Sequence, residues 1–338
     1  MTIQVQRERN YSLDSIKILS CILVVLMHSL RAFDKSVELH PILYYLTRCS
    51  MPLFFMSAGA VQLTKEKIDY KYCIRKIKNI FLLMMTYYGC DFIIRFALSR
   101  ELSCSRLLGF VKNCYWDFGV FWFLHTMIII YIALPVIHHL YKRCPYLLLV
   151  LLGGFTITLD AFNIIDIQYF GAEKFVDASI MQSLRLWTWT FYYLMGGVIY
   201  ESYEKINLNR LTQYIIVLIT SIIAVGYMYW MFFATTDIVN GEYAYTSLSM
   251  MLWSSSLMVF FLNTNFSRGK VVINQLVNML IPIYALHYTT IHRIVLPMDC
   301  FSGYWGQIGG YMIILIITCF FAYIITKKLP YMTFLYKI

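Results

Sequence analysis

The sequence predicts an all-α fold: a polytopic membrane helix bundle of about ten transmembrane helices with both termini in the cytoplasm. Three observations carry this reading. Of 338 residues, 60% are hydrophobic, 17% aromatic and only 14% charged, far from the balance of a soluble domain, in which about a quarter of residues are charged. The apolar residues gather into runs long enough to cross about 30 Å of hydrocarbon. The 28 lysines and arginines fall mostly between those runs, so the net charge of +10 reads as membrane orientation and not as a nucleic-acid signal.

Taken in order, the runs lie at about 15–33, 41–63, 74–97, 119–140, 145–163, 184–202, 211–233, 243–263, 273–297 and 304–327. The first is read as a retained helix, because the preceding MTIQVQRERNYSLDS contains acids and no small-residue cleavage site follows the run. The second carries Pro52, Ser57 and Gly59, which predict a kinked helix packed closely against a neighbour. A basic cluster opens the third, and aromatics including Trp116 and Trp122 lead into the fourth, as an interfacial belt requires. The ninth is diluted by Asn274, Gln275, Asn278, Pro282 and His287. With the N-terminus inside, the cytoplasmic segments hold seventeen lysines and arginines against eight outside. Loops at about 98–118 and 164–183 then form the main outer surface. No internal repeat or linker interrupts the chain, so a single membrane domain covers 1–338. The nine cysteines are scattered singly, which indicates neither a metal site nor a disulfide framework.

Chemistry concentrates on the first run, LDSIKILSCILVVLMHSL at 13–30. Lys17 and His28 stand eleven residues apart, about 16 Å of helical rise and close to a whole number of turns, so they share a face. Asp14, Cys21 and Arg31 fall on the same stripe. Ionisable groups cost about 2.5–3.5 kcal/mol each or more in hydrocarbon, so this stripe must face protein or water. His28 is the general-base candidate, since imidazole titrates near neutrality, and Asp14 is placed to hold Lys17 by an i, i+3 contact. Arg75 and Lys78, one turn apart at the start of the third helix, form a candidate docking point for a phosphate-bearing ligand, beside their plain reading as a positive-inside signal. Arg48, Ser57, His125 and His287 are candidates for an outer cavity near His28.

Together these residues resemble the acyltransferase-3 family, integral membrane proteins that are typically bacterial and commonly O-acetylate cell-surface or secreted glycans. That family carries a base, ten residues and then a histidine in its first helix, met here by Lys17 and His28, with Asp14 as the preceding acid. Its phenylalanine-rich segment ending in Ser-Gly is similar to PLFFMSAG, with Ala58 inserted between Ser57 and Gly59. Its pair of arginines three residues apart is matched by Arg75 and Lys78, a lysine replacing the second, and the proline that often closes that motif is missing. Trp122, Phe123, Leu124, Tyr131 and Pro135 follow its Trp-Phe-Leu segment, and Ile283, Tyr284, Ala285, Leu286 and His287 follow its late Ile-Tyr-Leu-x-His segment.

The resemblance implies a membrane O-acyltransferase of the bacterial cytoplasmic membrane, moving an acetyl group from cytoplasmic acetyl-CoA, or another acyl-CoA, to a hydroxyl of a glycan or lipid-linked glycan. Acyl-CoA is then a donor substrate, with no permanently bound cofactor and no metal. Arg75 and Lys78 would hold the donor's phosphates and Lys17 would guide it. His28 would activate the acceptor or carry the acyl group. The chain resembles the stand-alone form without a fused extracytoplasmic hydrolase-like domain, acting alone, as a homo-oligomer or with a separate extracytoplasmic transferase. Membrane lipid is the expected surrounding, and nucleic acid is not a partner. The alternative is a transporter or flippase that uses the polar face of the first helix as a permeation path.

Overall fold

A computed structural model describes residues 9–33, 41–99, 121–171, 176, 180–206, 208–235, 244–298, 301, 303–329 and 332. Among the described residues the chain is helical and holds no strand. Its α-helices are α1 (Tyr11–Phe33), α2 (Pro41–Leu46), α3 (Ser50–Leu63), α4 (Tyr70–Ser99), α5 (Trp122–Arg143) and α6 (Pro145–Phe170). They continue with α7 (Leu186–Ser202), α8 (Arg210–Thr235), α9 (Leu248–Leu262), α10 (Lys270–Thr289) and α11 (Gly303–Lys328). Six stretches, in α1, α5, α6, α8, α10 and α11, are long and apolar enough to cross a membrane, making this a multi-pass membrane protein. Helices α2, α3, α7 and α9 are shorter, at 6, 14, 17 and 15 residues.

The helix with the polar stripe is central. Of the apolar window in α1, 56% is buried within the protein, against 17% in α8, so α1 is wrapped by helices while α8 is mostly outward-facing. Helices α3, α9, α10 and α11 pack around α1. Cys21 Sγ donates to the Leu280 carbonyl of α10 at 3.6 Å, and the Ser12 hydroxyl donates to the Thr264 carbonyl beyond α9 at 3.1 Å.

The second apolar run is not one kinked helix. It divides into α2, a 3₁₀ turn at Thr47–Cys49, and α3, which starts at Ser50. Pro52 therefore lies in the first turn of α3, where its missing N–H removes no intrahelical bond. The close packing expected from Gly59 is present: a β-carbon there would stand 1.8 Å from the Tyr193 carbonyl oxygen of α7. The loop expected from 164 begins later, because α6 runs on through Ile167 to Phe170 and stops at Gly171, whose φ of 68° is the left-handed conformation that closes a helix. The ninth run holds Pro282 inside α10 and ends in a π-helical turn over Thr290–Val295. Residues 100–118 of the expected outer loop, most of 172–179 and the side chain of Arg31 lie outside the described residues.

Candidate functional site

At the basic end of the bundle, α1 begins with Asn10, whose Oδ1 accepts from the backbone N–H groups of Ser12 and Leu13 at 3.0 and 3.1 Å. This is an N-cap satisfying two orphan donors. The Asn10 amide also donates to the Tyr200 hydroxyl of α7 at 3.3 Å, so the cap fixes where α1 starts relative to α7. One turn on, the Asp14 carboxylate receives Arg9 Nε at 2.5 Å and Lys17 Nζ at 3.3 Å. The side chain of Asp14 is 7% exposed, those of Arg9 and Lys17 40% and 28%. One buried anion thus anchors two cations that keep access to water.

These residues line a cleft of about 320 Å³, with Val61, Lys65 and Tyr200 on its other walls. A volume of that order suits part of a ligand. Lys65 follows α3 and is half-buried, and burial lowers its pKa. Its Nζ stands 3.9 Å from the Tyr72 ring centroid, a cation–π contact, and its carbonyl is held by His138 Nε2 of α5 at 2.9 Å. Lys76 of α4 lies within Coulombic reach of Lys65, Lys17 and Arg75. Arg9, Lys17, Lys65 and Lys76 therefore outnumber Asp14, and the cleft is electropositive. Arg75 and Lys78 are exposed on α4; Arg75 adjoins this group through Lys76. Sequence reasoning missed Arg9, Lys65 and Tyr200, and placed Lys76 only within the basic cluster that opens the third run. A local signal existed for Arg9, five residues before Asp14, whereas the lysines were indistinguishable from an orientation signal.

Deeper in the bundle, Gln62 bridges two helices. Its Nε2 donates to the Tyr131 hydroxyl of α5 at 2.6 Å, and its Oε1 accepts from the Tyr193 hydroxyl of α7 at 2.8 Å. All three are buried. This network ties α3, α5 and α7 together just behind the cleft.

The far end of α1 brings the histidines together. The His28 and His287 rings are 5.1 Å apart between centroids and tilted by 40°. His28 is half-buried and His287 is 0% exposed. The Tyr284 ring lies 5.8 Å from His287, and Phe54, Phe121 and Phe123 surround Tyr284 at 6.2–6.4 Å. Arg48 is buried beside α1: Nη1 lies 2.7 Å from the Met27 sulfur, and the guanidinium sits over the Tyr44 and Tyr245 rings at 5.5 and 5.0 Å. His125 is half-buried with Nδ1 2.9 Å from the Phe121 carbonyl, one residue contact away from Tyr284. Ser57 is 1% exposed and its hydroxyl donates to the Phe54 carbonyl at 2.9 Å.

One helix therefore joins an electropositive cleft to a histidine pair, separated by about 16 Å of helical rise. That arrangement suits an anionic substrate entering at one end and acid–base chemistry at the other. A family model described as an acyltransferase domain matches residues 10–327. No curated protein and no solved structure matches the chain. The family match runs from Asn10, the cap of α1, to Lys327 in the last turn of α11, and so takes in the cleft, the glutamine network and both histidines; the chain belongs to the acyltransferase-3 family of membrane acyltransferases.

Proposed function

We propose that this acyltransferase moves an acetyl group from cytoplasmic acetyl-CoA to a hydroxyl of a cell-surface or secreted glycan, or of its lipid-linked precursor, in a bacterial cytoplasmic membrane. The observation that carries the reading is the two-ended helix α1, with Asp14 and Lys17 in the basic cleft and His28 beside His287. The donor's phosphates are anions that need several convergent cations. Lys17, Lys65 and Lys76 supply them, with Arg75 and Lys78 at the exposed approach. A long thiol-bearing arm lets the acyl group travel inward while the nucleotide stays in the cleft.

His28 accepts the proton of the acceptor hydroxyl as the new C–O bond forms and the thioester C–S bond breaks. That proton then passes to the leaving thiolate. A relay in which His28 first carries the acyl group obeys the same balance, with the hydroxyl attacking in a second step. The chain acts alone, as a homo-oligomer or with a separate extracytoplasmic transferase.

The test is replacement of His28 by alanine in cells, with alkali-labile acetyl groups on surface glycans measured by mass spectrometry. Loss of those groups at unchanged protein level is the expected result. Persistence at the parental level overturns the role of His28. Binding of labelled acetyl-CoA to purified protein, compared with Lys65→Ala/Lys76→Ala and Arg75→Ala/Lys78→Ala, separates the cleft from its exposed approach.

A further inference from the structure

His287 is fully buried, and its Nδ1 lies 2.5 Å from the Tyr284 carbonyl oxygen, three residues back on the same helix. A carbonyl can only accept, so Nδ1 must carry the proton and Nε2 must carry a lone pair. Among the described residues that Nε2 has no hydrogen-bond partner. A buried acceptor left without a donor is unfavourable. The adjacent ring is His28, in contact at 5.1 Å between centroids. His28 is the less buried of the two, so a turn about its side-chain bonds can bring an N–H to the lone pair.

We infer that His287 is a positioning residue for His28: locked as its Nδ1–H tautomer by the Tyr284 carbonyl, it offers a buried lone pair that accepts one N–H of His28 and leaves the other His28 nitrogen basic. The inference rests on the acyl-transfer reading for its consequence, but the tautomer itself is independent of substrate. The chain of donors has one direction. The Tyr284 carbonyl orders His287, His287 orders His28, and His28 meets the acceptor hydroxyl. When His28 takes the hydroxyl proton it becomes an imidazolium whose second N–H is already engaged by a neutral acceptor. The proton leaves by the same nitrogen to the departing thiolate, so His287 gains and loses nothing over the cycle. This is the task a carboxylate performs in a hydrolase triad, carried out here by a neutral group that adds no second charge to an apolar environment.

The test uses the purified full chain in lipid nanodiscs with ¹⁵N-labelled histidine, resonances being assigned by comparison with His287→Leu and His28→Asn. A neutral Nδ1–H form of His287 whose Nε2 resonance shifts in His28→Asn is the expected result. An Nε2–H tautomer overturns the inference, and so does an Nε2 resonance indifferent to residue 28. In cells, His287→Leu should lower glycan acylation on the order of 10²-fold. His287→Gln, whose side-chain oxygen can accept from His28, should recover at least about tenfold of that loss. The double variant with His28→Ala should be no worse than His28→Ala alone, as for residues acting as a unit. Equal activity of the Gln and Leu variants, or a further loss in the double variant, overturns the role. If His28→Ala abolishes acylation while His287→Leu does not, only this inference fails; if His28→Ala leaves acylation intact, the acyl-transfer reading fails instead, and the tautomer measurement stands by itself. Should His287→Leu not accumulate, the labelled wild type and His28→Asn decide the question.

Discussion

Gly59 of α3 faces the backbone of Tyr193 of α7 so closely that a β-carbon on it would stand 1.8 Å from the Tyr193 carbonyl oxygen. Gly196 meets the Met56 backbone in the same way, at 2.0 Å from its carbonyl oxygen. Two helices in backbone contact fix the heights of their other residues, here Gln62 and the wall of the cleft at Ala60 and Val61. Gly59→Ala is therefore expected to push α3 and α7 apart and to cost about 1–3 kcal/mol or more. Gly226→Ala, where no atom lies within 4 Å, should change the melting midpoint in detergent little. Equal midpoints for the two variants would contradict the packing.

The Gln62 network is open to a similar test with a different signature. Gln62→Leu keeps the volume roughly constant but strips partners from two buried hydroxyls, on Tyr131 and Tyr193. An orphaned buried group costs about 1–3 kcal/mol, whereas an interhelical hydrogen bond in a membrane averages about 0.6 kcal/mol. The expected order of thermal stability is wild type, then Tyr193→Phe, then Gln62→Leu. Restoring stability to Gln62→Leu by adding Tyr131→Phe and Tyr193→Phe would show that orphaned hydroxyls, and not lost packing, carry the cost.

What could be read without the structure was whatever a single helix decides. Asp14 and Lys17 are three residues apart, so a helix alone brings them together; likewise the period of 3.6 places His28 on their face. Pro52 was misread because its effect depends on where α3 starts, and helix starts depend on how the preceding turn packs. The second ligand of Asp14, Arg9, depends on the path of the chain before α1. Lys65 and Lys76 reach the cleft only because α3, α4 and α5 dock there. His28 and His287 lie on α1 and α10, near opposite ends of the chain, and their contact belongs to tertiary structure.

For Asp14 the sizes of the competing effects separate function from stability. Its cationic partners are 40% and 28% exposed, so the pairs belong nearer the solvent-screened class, about 1 kcal/mol or less, than the class of fully buried pairs at 3–5 kcal/mol. Asp14→Asn should leave the melting midpoint nearly unchanged. It should lower acyl transfer about tenfold or more by releasing Lys17 from its position. A large drop in midpoint with proportionate loss of protein would make Asp14 a structural residue only.

Lys65 gives the site a pH dependence whose sign follows from its burial. Burial penalises the ammonium form and lowers its pKa from the ordinary lysine value, about 10.4. The folded protein therefore releases this proton before the unfolded chain does, so the unfavourable contribution of burying the charge is fully present at low pH and is relieved as pH rises through the folded pKa. Donor binding runs the other way. If acetyl-CoA is the donor, as proposed, its phosphates are already ionised above neutrality, so their attraction to the cleft is greatest while Lys65 is charged and weakens as it deprotonates. Affinity for labelled acetyl-CoA should fall as pH rises through the folded pKa of Lys65, which lies below the ordinary lysine value, by about tenfold for the loss of one charged contact. In Lys65→Arg, which stays protonated throughout, the fall should be shallower. A wild-type affinity that is flat over this range, or an identical slope in the arginine variant, would remove Lys65 from the donor site.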